Sequence, residues 1–264
     1  MALKRDTSPP AKLKAAHRDP SSTSPIEPPT GSLESPNGGV EQFAYMASHE
    51  LQGPLAAAAG YLDLLAGQSR VKLEPAAARL VLLAHEGVTR MQRLVDNLLT
   101  YARVASIPPL VEWLDSESVL DMALANLGGA IATSRAHVTY GPLPRIKMDE
   151  LDLLLLFQNL VSNGVKFGGP RPPRVHVSAG DENGTWRFWI RDNGIGFDPR
   201  MADKLFGVFE RQPNGAGRPG NGMGLAICQR IVQRYGGEIR ADSEPGRGST
   251  FFFSIPKLSQ HNLH

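Results

Sequence analysis

From Val40 to Leu65 the apolar residues recur at steps of three and four: Phe43, Ala47, Leu51, Leu55, Ala58, Leu62 and Leu65. That spacing predicts an amphipathic helix. At about 100° per residue, His49 falls roughly 200° from both Ala47 and Leu51, off the apolar stripe. Pro54 stands inside the helix, where the lost backbone bond costs about 3 kcal/mol, and a kink is expected just after His49. A turn over 67–74 leads to Pro75, which suits the first position of a second helix. There Val81, Ala84, Val88, Met91, Val95, Leu98 and Ala102 alternate steps of three and four, a heptad seam. Two helices joined by a short turn form an antiparallel hairpin that buries its stripe poorly alone. Pairing two hairpins into a four-helix bundle covers it, so a homodimer is predicted.

Beyond Pro108 and Pro109 the pattern is mixed. Helices are expected near 116–133, 149–167 and 223–235. Strands fit 137–140, 174–179, 185–191, 237–242 and 249–255, with Asn183-Gly184 closing a hairpin. The fold class predicted is α followed by α/β: a helical hairpin forming a dimeric bundle, then an α/β sandwich with its helices on one face. The organisation expected is a tail over 1–38, a hairpin domain over 39–106, an α/β domain over 110–258 and a short tail over 259–264. The first tail holds seven of the 21 prolines and few large apolar residues, the composition of a disordered segment.

Composition narrows the function classes. A net charge of +2 with no Lys/Arg run argues against a nucleic-acid partner. No apolar stretch approaches the roughly 18 residues of a membrane span, and no secretory signal follows Lys4 and Arg5. Cys228 is the single cysteine, so no internal disulfide forms; it reads as a small buried side chain, and a cytoplasmic location is expected.

Four strings carry chemistry. In Ser48-His49-Glu50-Leu51-Gln52-Gly53-Pro54 an off-stripe histidine stands beside an acid. An imidazole with a pKa near 6.5 is largely neutral and nucleophilic at pH 7, and Glu50 can take or orient its other proton. In isolation such a pair is equally a solvated surface pair. In Phe157-Gln158-Asn159-Leu160-Val161-Ser162-Asn163-Gly164-Val165-Lys166-Phe167, residues Asn159, Asn163 and Lys166 share a helical face. An amide oxygen suits Mg²⁺ and a lysine suits phosphate, although a plain polar face has the same spacing. Arg191-Asp192-Asn193-Gly194-Ile195-Gly196-Phe197 follows an apolar run. Its carboxylate can accept from an adenine amine, and its glycines admit a close ligand or simply a tight turn. Gly220-Asn221-Gly222-Met223-Gly224-Leu225 opens a helix, where unblocked N–H groups can cradle phosphate. Gly246-Arg247-Gly248-Ser249-Thr250 leads into the last strand as a glycine turn. Gly215-Ala216-Gly217-Arg218-Pro219-Gly220 fits a dinucleotide motif literally, but lacks a preceding strand and contains Pro219. His85 reads as a packed or surface histidine.

In this order, and with Leu205-Phe206-Gly207-Val208-Phe209-Glu210-Arg211 between the last two, the strings resemble the H, N, G1, F, G2 and G3 boxes of sensor histidine kinases. The resemblance covers about 40–256. It implies a dimerisation and phosphoacceptor hairpin and an ATP-binding domain of the Bergerat type. By resemblance His49 is the phosphorylated residue and Glu50 its base. Asn163 would hold Mg²⁺, with Asn159 and Lys166 on the phosphates and Asp192 on the adenine amine. Phe167, Gly194, Gly196, Gly220, Gly222, Gly224, Leu225 and Thr250 would shape the ATP pocket, and Arg211 would sit in a lid running to about Gly222. The implied partner is the receiver domain of a response regulator. Gln52 and the Leu205–Phe209 string are similar to phytochrome-associated kinases. With no sensor region in sight, a separate protein is one candidate source of the signal.

Two other readings compete: a dimeric ATP-binding scaffold, and a related ATPase of the topoisomerase or chaperone type. The ATPases resemble this N box but carry glutamate four residues before the metal-binding asparagine. Here that position is Asn159, and an amide takes no proton, which disfavours hydrolysis. Gly53 is a departure. Many similar kinases have Thr or Asn there, helping to place a water that dephosphorylates the regulator, so weak phosphatase activity is expected.

Overall fold

The computed structural model describes residues 38–67, 74–210 and 222–257; within the first helix it describes the side chains of Ser48 and of Glu50 onward. The two tails and most of the 67–74 turn lie outside these residues. Helix α1 spans Gly38–Gly67 and α2 spans Pro75–Ser106, packed against each other as the expected hairpin. α1 does not end at Pro54 but runs on through it for more than three turns.

The remaining elements are β1 (Glu112–Asp115), α3 (Ser116–Asn126), α4 (Gly128–Ser134), β2 (His137–Tyr140), β3 (Arg145–Met148), α5 (Glu150–Lys166), β4 (Arg174–Glu182), β5 (Thr185–Asp192), α6 (Gly224–Arg234), β6 (Ile239–Glu244) and β7 (Gly248–Pro256). Two differences from the sequence pattern stand out. The helix expected over 116–133 is two helices, because Leu127 closes α3 and Gly128-Gly129 restarts the chain as α4. Glycine's low helix propensity makes that pair the natural break. The short strands β1 and β3, not anticipated, pair antiparallel to each other, Trp113 opposite Lys147.

The main sheet has the order β2-β4-β5-β7-β6, with β2 parallel to β4 and the other pairs antiparallel. Asn183 (φ 52°) and Gly184 (φ 81°) take the left-handed angles of the turn between β4 and β5. Strand alternation sends Val175, Val177, Phe188, Ile190, Phe251 and Phe253 to one face, where α3, α5 and α6 cover them. Phe188 stacks on Phe253 at 4.8 Å and meets the edge of Phe157, from α5, at 5.9 Å. Val104, Leu98 and Tyr101 from the end of α2 join this core. Elsewhere on the hairpin, Leu55, Leu62, Val81 and Val88 are half-buried, while Tyr61, Leu80 and Leu82 point outward and are 68%, 67% and 60% exposed. In the heptad seam Val95 and Ala102 are buried while Met91 is exposed.

Phe157 is fully buried between the two other rings. Phe157→Ala should therefore destabilise the α/β domain by about 3–5 kcal/mol, read by denaturant unfolding.

Candidate functional site

Helix α5 starts on Asp149, whose Oδ1 accepts from the amides of Leu151 and Asp152 at 3.0 and 3.2 Å. It buries Leu153, Leu156, Phe157 and Leu160, which leaves Asn159 and Asn163 half-buried on another side. Asn159 Nδ2 donates back to the Leu155 carbonyl at 2.9 Å. Its Oδ1 lies against the first turn of α6, where a Cβ on Gly224 would stand 2.5 Å from it. A side chain at position 224 would have to displace the Asn159 amide. Gly164 is similarly placed toward the sheet, since its Cβ would stand 2.7 Å from Val175 Cγ2 and 3.2 Å from Asp192 Cβ.

Asp192 ends β5 and is buried. Its Oδ1 accepts from Gly194 N–H at 2.7 Å and Ser249 N–H at 3.1 Å, and among the described residues no hydrogen bond engages Oδ2. Burial pushes the carboxyl pKa up, and the two amides pull the other way. The loop beyond it is tied on both sides. Ile195 N–H donates to the Phe167 carbonyl at 2.9 Å and Gly246 N–H to the Ile195 carbonyl at 2.7 Å. Phe197 N–H donates to Ser243 Oγ at 2.9 Å, and Asn193 Oδ1 accepts from Arg174 N–H at 2.7 Å. Gly196 sits at φ 63°, against the Glu244 carbonyl, so a side chain there would meet both strain and backbone.

At the other rim, Met223, the N-cap residue of α6, makes no side-chain cap hydrogen bond to the first turn. That is the arrangement in which a helix start receives anionic oxygen. Gly222, at φ 73°, lies against Glu210, whose carbonyl would be 2.6 Å from its Cβ. Arg211 and Gly220, with most of the expected lid, fall outside the described residues. Leu225 packs partly buried against the core, and Thr250 lies on β7 between Arg191 and Asp242. Lys166 Nζ stands 4.6 Å from the Phe167 ring centroid and lines a cavity of about 350 Å³ with Arg135 and Arg171.

The fold thus gathers Asn159, Asp192, Gly194, Gly196, Gly222 and Gly224, with Asn163 on the same helix as the first. His49 and Glu50 belong to α1 instead, and Glu50 is exposed. His85 Nε2 pairs with Asp63 Oδ1 across the hairpin at 3.0 Å. Sequence reasoning did not single out Asn193, Ser243 and Ser249 as loop-holding residues. Asn193 and Ser249 already stood in recognised strings, whereas Ser243 did not, and Ser243 and the Ser249 amide act only once β6 and β7 fold against β5.

Residues 40–107 match the family model described as "His Kinase A (phospho-acceptor) domain" and residues 148–259 match "Histidine kinase-, DNA gyrase B-, and HSP90-like ATPase". The phytochrome-like protein Cph1 of Synechocystis sp. is 40% identical over 224 residues, 85% of this chain and 30% of the relative. The methanogenesis regulatory histidine kinase FilI of Methanothrix harundinacea is 31% identical over 86% of this chain and 26% of its own length. This chain spans less than a third of either relative. Among solved structures, full-length ShkA in complex with AMPPNP superposes with a TM-score of 0.66 at 26% identity, covering 82% of this chain and 46% of that one. A phosphoacceptor match followed by an ATPase match, both embedded in a longer likeness to histidine kinases, places the chain in the sensor histidine kinase family, with relatives among the phytochrome-like proteins.

Proposed function

We propose that this chain is an autophosphorylating kinase core that moves the γ-phosphoryl group of ATP onto His49 and then to an aspartate of a response regulator. The observation that carries the reading is Asp192. Two backbone N–H groups saturate one of its oxygens, and the other is left for a donor, which an adenine amine supplies. The start of α6, which has no side-chain cap bond from Met223 and lies beside Asn159, fits the phosphate end of the same ligand. A bound ATP supplies the transferable phosphoryl group, with ADP as its leaving group.

Around it, Asp192 holds the base while Gly194 and Gly196 keep the loop close. Phe167, Leu225 and Thr250 line the pocket, and Arg211, Gly220 and Gly222 belong to its cover. Gly224 and the first turn of α6 receive phosphate oxygens, with Asn159 and Lys166 beside them. The Asn163 amide oxygen would ligate Mg²⁺. Among the described residues no cluster of three His, Cys, Asp or Glu side chains could hold a metal, so phosphate and water oxygens would complete its shell. On α1 a His49 ring nitrogen attacks phosphorus as the bond to the leaving oxygen breaks, and Glu50 takes the ring proton.

The outward apolar residues of the hairpin support a second copy as the partner that buries them, completing a four-helix bundle. No described helix is long and apolar enough to cross a membrane. We assign a cytoplasmic location, domain limits near 39–106 and 110–258, and a signal delivered by a separate protein or by segments beyond this chain.

His49→Ala should abolish acid-labile labelling from γ-labelled ATP while nucleotide binding persists, and His85→Ala should change little. Labelling that survives in His49→Ala would sink the assignment. Asp192→Asn should weaken nucleotide binding by about 10-fold or more, because a charged acceptor is lost. Since burial raises the Asp192 pKa, wild-type affinity should fall as pH drops, starting above the usual carboxylate range. That limb should vanish in Asp192→Asn, as isothermal titration across pH would register. Gly53 has open space around its would-be Cβ, so a threonine fits there. The wild type should dephosphorylate its regulator slowly, and Gly53→Thr should speed this by up to about 10²-fold in an assay with ADP and Mg²⁺.

A further inference from the structure

The end of the hairpin is fastened to the α/β domain around one acidic side chain. Asp152, in the first turn of α5, is 0% exposed. Its Oδ2 accepts from Arg234 Nη1 at 3.0 Å and from the Tyr235 hydroxyl at 2.9 Å, both within its own domain. Its Oδ1 has no hydrogen bond and faces Arg103 of α2, whose Nη2 is 3.8 Å away. Arg234 reaches across as well, donating from Nη2 to the carbonyl of Ile107, the residue that closes α2. One turn back along α6, the Arg230 guanidinium stands 5.2 Å from the Tyr101 ring centroid. A surface pair of this kind would contribute little, but a buried carboxylate stripped of a partner is left uncompensated.

These contacts also set a direction. Arg230 meets Tyr101 and Arg234 meets Ile107, so α6 runs alongside α2 in the same sense. Counting back six residues from Arg230 reaches Gly224, and six back from Tyr101 reaches Val95; counting ten back from Arg234 and Ile107 reaches Gly224 and Asn97. The start of α6 therefore falls opposite the stretch of α2 that holds Asp96. Asp96 Oδ1 accepts from Gln52 Nε2 on α1 at 3.0 Å. His49 precedes Gln52 by three residues. Along the hairpin axis, the phosphate end of the proposed ATP site thus falls within about two turns, ~10 Å, of the His49 backbone.

We propose that Asp152, with Arg103 and Arg234, is a positioning cluster that sets the axial register of the ATP-binding domain on the hairpin and so presents the donor phosphate at the height of His49. The proposal rests on the kinase reading above. Asp152 belongs to neither the nucleotide cradle nor the phosphoacceptor string, so it acts through placement. The domain-internal half of the cluster is hydrogen-bonded, while toward the hairpin it makes one hydrogen bond, to the Ile107 carbonyl, and a looser 3.8 Å approach to Arg103, so α2 is where the register is held and Arg103 is where it gives way.

The test uses Arg103→Gln, Arg103→Lys and Asp152→Asn in the full chain; the last keeps the shape and an acceptor for Tyr235. Three quantities are read: the single-turnover labelling rate at saturating ATP, the dissociation constant for AMPPNP, and hydrogen exchange at the Ile107 and Leu110 amides. Leu110 N–H reports the junction directly, because it donates to Asp149 Oδ2 at 2.9 Å. Arg103→Gln and Asp152→Asn should slow labelling at least about 10-fold, leave AMPPNP affinity within about 2-fold, and speed exchange at both amides, with Arg103→Lys in between. Wild-type labelling and exchange in Arg103→Gln would overturn the proposal. A matching loss of AMPPNP affinity would also overturn it, by showing a defect in the domain itself rather than in its placement. A wild type that binds AMPPNP without labelling His49 would instead sink the kinase reading, and the exchange data would still judge the register.

Discussion

The nucleotide site depends on how one buried carboxylate is held. Asp192 occupies the end of a central strand, and its Oδ1 is shared by the amides of Gly194 and Ser249. One amide opens the loop after β5, and the other belongs to the first residues of β7. The carboxylate therefore locks a loop and a neighbouring strand into one rim. Without that pair of donors, burying the charge would be costly, and Oδ2 would have no fixed direction in which to meet a ligand. Gly164, Gly194 and Gly248 surround it because each allows a backbone or helix to approach where a Cβ would collide. The rim is thus rigid by exclusion of side chains as much as by hydrogen bonds.

Much of this was legible in the sequence, for reasons that differ by element. Helices α1, α2, α5 and α6 are long enough for a period of three to four to emerge, and Asn183-Gly184 announces its turn through the angles only such residues take readily. Strands β1 and β3 escaped because four residues hold too few alternations to stand out after a proline pair. The split between α3 and α4 was masked by continuous helical spacing, and only Gly128-Gly129 marks it. At the site, residue types that bind by side chain, such as Asp192 and Asn163, could be picked out. Ser249 could not, because it contributes a backbone N–H whose aim is decided by strand pairing far along the chain. Asp152 was hidden differently. It sits in a run of leucines, and nothing local tells whether its partners come from α2, α6 or solvent.

Hairpin and α/β domain differ in how they satisfy their apolar surface. The latter closes a core of its own around Phe157, Phe188 and Phe253. Among its described residues, the hairpin packs the end of α2 into that core through Leu98, Tyr101 and Val104, and leaves large residues such as Tyr61 and Leu80 outside. One end of the same helix thus serves the neighbouring domain, while the other leaves its large apolar residues exposed.

The strand order has a consequence for how the protein comes into being. β7, the last strand in the chain, is not at the edge of the sheet but lies between β5 and β6. It also carries the Ser249 amide that Asp192 needs. During synthesis the hairpin with His49 and its acid emerges first, and every other ligand-facing string follows before β7 does. Until β7 inserts, β5 lacks one neighbour, Phe188 lacks its stacked partner, and the nucleotide rim cannot close. A nascent chain therefore carries the proposed phosphoacceptor hairpin well before its nucleotide rim can close, and that closure waits for β7.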